Sequence, residues 1–282
     1  MSEGLRGDDL ARSTSRSIHL QTLLTPERMQ GPGFVFAMLP ALRRLYPDRE
    51  ALASAMTRHM AYFATHPVLA GFALGAAARL EERRAAGEPI PDEEIDGRKR
   101  SLASPLAALG DPLFWLTLRP LAGLMGVLAM VVFEPPVANE PDLRVLACPL
   151  LTLLTYNAVA LPFRIAGVAR GYADADRPGE LVRSLRLAEW RVALERAGAV
   201  AFGALIALTA TLLDLGSGGW GEHYVARAAA LAPLALGGIV GFLGLSRWPG
   251  RCVETALAAF GAAAALAAIL KELPNGWSNG ML

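Results

Sequence analysis

Asp111 and Arg119 stand inside an apolar run, in the stretch S-P-L-A-A-L-G-D-P-L-F-W-L-T-L-R-P from Ser104 to Pro120. A charged side chain at the centre of a bilayer costs roughly 2.5–3.5 kcal/mol on insertion scales. Such groups therefore face a polar cavity or a partner. Pro112 and Pro120 each lack a backbone N–H and interrupt the helical ladder. Interrupted backbone at membrane depth is tolerated where protein or a water-filled path surrounds it, so the stretch reads as part of a transport pathway. Along a helix the two charges would lie about 12 Å apart at 1.5 Å per residue, so each needs a partner elsewhere. Asp111 followed by Pro112 fits the N-cap and first position of a half-helix. His66 precedes Pro67. It fits either a titrating proton or phosphate acceptor or a ring that hydrogen-bonds a nearby carbonyl and fixes the turn.

The elements that must position these groups are helices. Three uninterrupted apolar segments close the chain, at about 197–215, 225–245 and 252–270. Each approaches the ~20 residues needed to cross a ~30 Å hydrocarbon core. The stretch before the first carries Arg170, Arg177, Arg183, Arg186, Arg191 and Arg196, whereas Gly216–Tyr224 has no Lys or Arg. Residues 170–196 are therefore expected in the cytoplasm and the C-terminus outside. A second apolar block covers 102–133 and 143–169, joined by the acidic connector Glu134–Asp142, which belongs outside. Residues 18–82 are shorter and more polar. Arg49–Thr65 places Leu52, Met56, His59 and Phe63 on one stripe, an amphipathic period, and these elements read as interfacial or re-entrant. Residues 81–100 read as a solvated cytoplasmic connection. Gly71/Gly75 and Gly237/Gly241 have the small-xxx-small spacing of closely packed membrane helices.

Composition agrees. The chain has 282 residues, 53% hydrophobic, with mean hydropathy +0.35 and a formal net charge of +1. Near-neutral charge without a basic aromatic patch excludes a nucleic-acid partner. Cys148 and Cys252 form no CxxC or Cys/His cluster, so no metal site or disulfide framework is expected. No nucleophile–base arrangement can be assembled, and no catalytic residue or cofactor is assigned.

Several motifs in order resemble a known family. Glu27-Arg28-Met29-Gln30-Gly31, Leu39-Pro40-Ala41-Leu42-Arg43-Arg44-Leu45-Tyr46-Pro47, Arg58-His59, Phe63 and Thr65-His66-Pro67 come first. Pro105-Leu106-Ala107, Gly110-Asp111-Pro112-Leu113-Phe114-Trp115 and Thr117-Leu118-Arg119-Pro120 follow. Together they resemble the IID membrane subunit of the mannose/fructose/sorbose phosphotransferase systems, over about residues 16–172. The resemblance implies an all-α polytopic protein of the bacterial inner membrane with broken or re-entrant helices and amphipathic N-terminal helices. It implies a IIC membrane subunit as partner, soluble IIA and IIB phosphocarriers, and a sugar phosphorylated as it enters. The phosphorylated histidines belong to other chains, so this one is expected to be non-catalytic. The expected divisions are a flexible cytoplasmic tail (1–17), a IID-like core (18–172), a basic cytoplasmic linker (173–196) and three transmembrane helices (197–282).

Under this resemblance Glu27, Arg28, Gln30, His66, Asp111 and Arg119 are the candidates for the substrate pathway or the subunit contact. Asp111 is either a helix cap or a contact for sugar hydroxyls, and Gln30 is a further candidate for the sugar. Arg119 anchors a helix end or the partner subunit. Thr25-Pro26, Ala64, Ala108 and Leu116 depart from the family's usual residues. They motivate an alternative, an orphan regulatory or scaffold protein with the IID fold and no transport. A membrane enzyme with a site near His66 and Asp111 is a second.

Overall fold

The computed structural model describes residues 4–133 and 146–215, with side chains as far as 205. The connector at 134–142, the apolar segments at 225–245 and 252–270, the turn at 216–219 and the Gly237/Gly241 pair lie outside the described residues. Among the described residues the fold is all-α, with two isolated bridges and no strand. The chain divides into two compact units, residues 1–116 with 159–190, and residues 117–158 with 191–282.

The first unit begins with α1 (Gly7–Ser17), which lies in the stretch expected as a tail. Its buried residues are Asp9, Ser13 and Ser17, one face of small polar groups, and Asp9 pairs with Arg44 at 3.4 Å. Helix α2 (Gly31–Leu45) buries Phe34, Met38, Leu42 and Leu45. Tyr46-Pro47-Asp48 then turns the chain, and the Asp48 carboxylate caps α3 (Arg49–His59) by accepting from the Ala51 amide at 2.9 Å. Helix α4 (Ala70–Ala85) is buried from Ala70 to Ala78 and again at Leu80 and Glu81. Its Gly71 and Gly75 face Gly167, Val168 and Gly171 of α7 (Ala147–Ala173), backbone against backbone. The small-xxx-small pair on α4 thus meets a second one on α7.

The stretch expected as a solvated connection at 81–100 is different. Helix α4 continues to Ala85, Gly87 turns the chain at a φ of +102°, and α5 (Asp92–Asp111) starts five residues later. Leu80, Ile90 and Ile95 close a small apolar cluster beneath that turn. Glu81 and Lys99 are buried with it. The charge run misled because it mixes the end of one helix with the start of another, each burying one charge among others that are exposed or half-buried.

The proline-bearing run after α5 stays helical. Pro112–Leu118 widens to a π-helical segment and α6 (Arg119–Phe133) follows directly. π-helical turns inside α-helices are rare and frequent at functional sites, and the interruption that the prolines announce takes this form here. The expected half-helix with Asp111 as its N-cap is not formed, because Asp111 ends α5 instead of starting a helix. The helical run from Asp92 to Val132 and α7 are both long and apolar enough to cross a membrane. Leu150, Leu153 and Leu154 of α7, and Val127 and Met130 of α6, are exposed. α8 (Pro178–Ser184) and α9 (Leu187–Leu215) complete the described chain.

Candidate functional site

The structure brings four of the sequence candidates, Glu27, Arg28, Gln30 and His66, to one corner of the first unit. Thr25 and Met29 exchange backbone hydrogen bonds of 3.1 and 2.8 Å, closing a tight loop whose tip exposes Glu27 and Arg28. Phe63 donates its backbone N–H to the Arg28 carbonyl at 3.3 Å, which sets this loop beside the α3–α4 connection. Gln30 is buried between them. Its Nε2 donates to the Thr65 carbonyl at 2.8 Å, and its Oε1 accepts from the Thr65 amide at 3.1 Å. Both ends of the Gln30 amide are thus engaged with one backbone residue, as a neighbouring strand would be. The Thr65 hydroxyl donates to the Ala103 carbonyl of α5 at 3.0 Å. Gln30 therefore holds the turn that carries His66, and its amide is turned toward that turn.

His66 is 1% exposed. Its ring stacks on Phe114 at 4.6 Å between centroids and meets the edge of Trp115 at 5.3 Å. Both aromatics belong to the π-helical segment, so that widened turn shapes the wall around the imidazole. Gly110 makes the approach possible, since a Cβ there would lie 2.7 Å from the His66 Cβ. Nδ1 accepts from the Val68 amide at 3.3 Å, so the proton sits on Nε2, which has no partner among the described residues. Burial, with the Arg164 charge nearby, pushes the imidazole down to about 4. The ring is therefore neutral at physiological pH. A hydrogen bond from the ring to a nearby carbonyl was expected; the ring instead accepts from the Val68 amide two residues on.

Asp111, next to Gly110, is exposed at the end of α5. Arg119 is exposed as well and belongs to the second unit. Among the described residues no group of three or more His, Cys, Asp or Glu side chains is placed to hold a metal ion.

A second polar centre escaped the sequence reading. The Glu81 carboxylate, with no exposed surface, accepts four hydrogen bonds. Arg58 donates twice, from Nε at 2.8 Å and Nη2 at 3.2 Å, His59 Nε2 lies 2.8 Å away, and the Tyr46 hydroxyl 2.7 Å away. Burial alone would raise this carboxyl, but the His59, Arg58 and Tyr46 hydrogen bonds overcome it and hold it at about 2. Burial pushes His59 below its ordinary value in spite of Glu81. The signal was present: Leu74, Ala77, Ala78 and Glu81 follow one helical stripe, so Glu81 shares the buried face.

A family model described as the PTS system mannose/fructose/sorbose family IID component matches residues 4–213. The chain belongs to that family. It is 41% identical over 170 residues to the PTS system mannose-specific EIID component of Escherichia coli K12, covering 58% of this chain and 56% of that one. It is 35% identical over 182 residues to the sorbose-specific EIID component of Klebsiella pneumoniae, covering 63% and 62% respectively. The matched stretch thus spans little more than half the length of these curated relatives. Among solved structures it is similar to a chain of the mannose transporter ManYZ in complex with microcin E492. That likeness has a TM-score of 0.54 and 31% identity, and covers 86% of this chain and 96% of that one. As an IID component the chain is a membrane protein, in keeping with its two helices of spanning length and composition.

Proposed function

We propose that this IID component is the non-catalytic membrane subunit of a mannose-family sugar permease. It forms with a IIC subunit the route by which a sugar enters and is phosphorylated. Soluble IIA and IIB components supply the phosphate. The names of the relatives, which specify mannose, sorbose and fructose, support the substrate class. The observation that carries the reading is the His66 turn, braced by Gln30 and stacked against a π-helical segment within a helix of spanning length. Spanning helices of this kind tolerate irregular backbone where protein shelters it or a polar route passes. Asp111 at the edge of this turn, and Glu27 and Arg28 on the exposed loop, are the groups offered to the sugar or to IIC. Arg119 is offered in the same way from the second unit. The arginine-rich stretch at 170–196 supports a cytoplasmic placement for it. With it go a cytoplasmic N-terminus, an external C-terminus and a multi-pass course through the bacterial inner membrane. Transport by one bundle moving against another around a midplane site is the corresponding mechanism.

Asp111→Leu tests this role. Uptake of radiolabelled sugar is expected to fall to background in cells whose membranes contain the variant at the wild-type level. Wild-type uptake by Asp111→Leu removes Asp111 from the route.

A further inference from the structure

We propose that Glu81 is a positioning residue for the His66 turn, acting through His59 and Phe34. The contacts form an unbroken series within the first unit. Glu81 accepts from His59, the last residue of α3, at the point where the chain leaves for the connection that carries Thr65 and His66. The His59 ring stacks on Phe34 at 5.6 Å, and Phe34 packs against Phe63 at 4.6 Å. Phe63 in turn accepts from the Gln30 backbone N–H at 2.8 Å, and Gln30 clamps Thr65.

The arrangement is specific in its chemistry. A carboxylate filled by four donors fixes each donor's direction, and buried partially satisfied networks are strongly penalised. The Lys99 ammonium lies 4.8 Å from the centre of the Phe34 ring, on the same helix whose Ala103 carbonyl receives the Thr65 hydroxyl. Phe34 is thus held between the Glu81 centre and α5, and has little freedom to drift. His59 Nδ1 has no partner among the described residues. The ring is therefore oriented by a single hydrogen bond, the one to Glu81, and by its stacking on Phe34. Glu81→Gln leaves one acceptor oxygen for the Arg58, Tyr46 and His59 donors and turns an NH2 toward them, which weakens the His59 hydrogen bond and loosens the start of the turn.

This proposal rests on the reading that the turn belongs to the sugar route, and the test separates the two. Hydrogen exchange is measured on the full chain in detergent for Glu81→Gln, His59→Leu and His59→Gln, whose amide nitrogen stands in for Nε2. Faster exchange confined to residues 60–69 is expected in Glu81→Gln and His59→Leu, with near-wild-type exchange in His59→Gln. Uptake by the first two is expected to show a KM raised about tenfold, equivalent to about 1.4 kcal/mol, with the maximal rate retained. Exchange that rises across all of the first unit, or not at all in 60–69, overturns the positioning role. Localised exchange with unchanged uptake supports the positioning role and removes the turn from the sugar route. Should Glu81→Gln fail to accumulate in membranes, the two His59 variants carry the comparison.

Discussion

Gly171→Leu is expected to abolish the folded state of the first unit. A Cβ at Gly171 would fall within the van der Waals envelope of the Phe72 carbonyl oxygen on α4, and one at Gly75 would do the same to Val168 on α7. Neither obstacle is a flexible side-chain tip. Both are helical backbone, so the two helices must separate along the crossing. Membrane helices associate through such close contact because lipid gives no hydrophobic drive between them. Forcing apart a backbone contact places the change beyond the ordinary range for single substitutions, more than ~4 kcal/mol. Size-exclusion chromatography of a fluorescent fusion is expected to show Gly171→Leu eluting as aggregate, with Gly97→Leu, at a position with open space, eluting as wild type. A monodisperse Gly171→Leu peak contradicts the crossing.

That crossing shows what was legible in the sequence. The Gly71/Gly75 spacing announced a close helix contact, but spacing cannot name the partner. Gly167 and Gly171 are nearly a hundred positions away, the first in a block read only as apolar and the second in the arginine-rich stretch expected in the cytoplasm. The spanning character of 102–133 and 143–169 was legible because it depends on local residue types. The π-helical segment was not. Proline at 112 and 120 signals an interruption without saying whether the helix breaks or widens. Gln30 read as a polar group awaiting a ligand, since a sequence does not display the Thr65 backbone that occupies it. Glu81 was lost in a run of charges because the eye weighs such a run as one solvated face.

Arg58→Leu is the second substitution with a large expected effect. It strips the two guanidinium hydrogen bonds from a carboxylate that has no exposed surface. Breaking a buried pair by removing one partner costs about 3–5 kcal/mol, since the remaining charge is left uncompensated. A thermal midpoint lowered by roughly 10 °C in detergent follows from the usual scaling for a chain of this size. The sign of the pH dependence is fixed by Glu81. Its folded value of about 2 lies below its ordinary 4.5, so its contribution is complete above 4.5 and fades as the pH falls toward 2. In Arg58→Leu the carboxyl keeps its His59 and Tyr46 hydrogen bonds but loses both guanidinium donors, so its value rises from about 2. The stability gap between the two proteins is therefore widest near neutrality and narrows below about pH 4.5. A gap that is constant from pH 7 to pH 3 contradicts an ionised Glu81 as the source.

The central claim is tested by complementation. The chain is expressed with its IIC, IIA and IIB counterparts in a strain lacking every mannose-family permease, and uptake and phosphorylation of mannose, sorbose and fructose are measured with and without it. The account predicts uptake of at least one of these sugars that disappears when this chain alone is omitted, with IIC co-purifying on it. Stable insertion and IIC binding with no sugar entering, whether or not the chain is present, would contradict it.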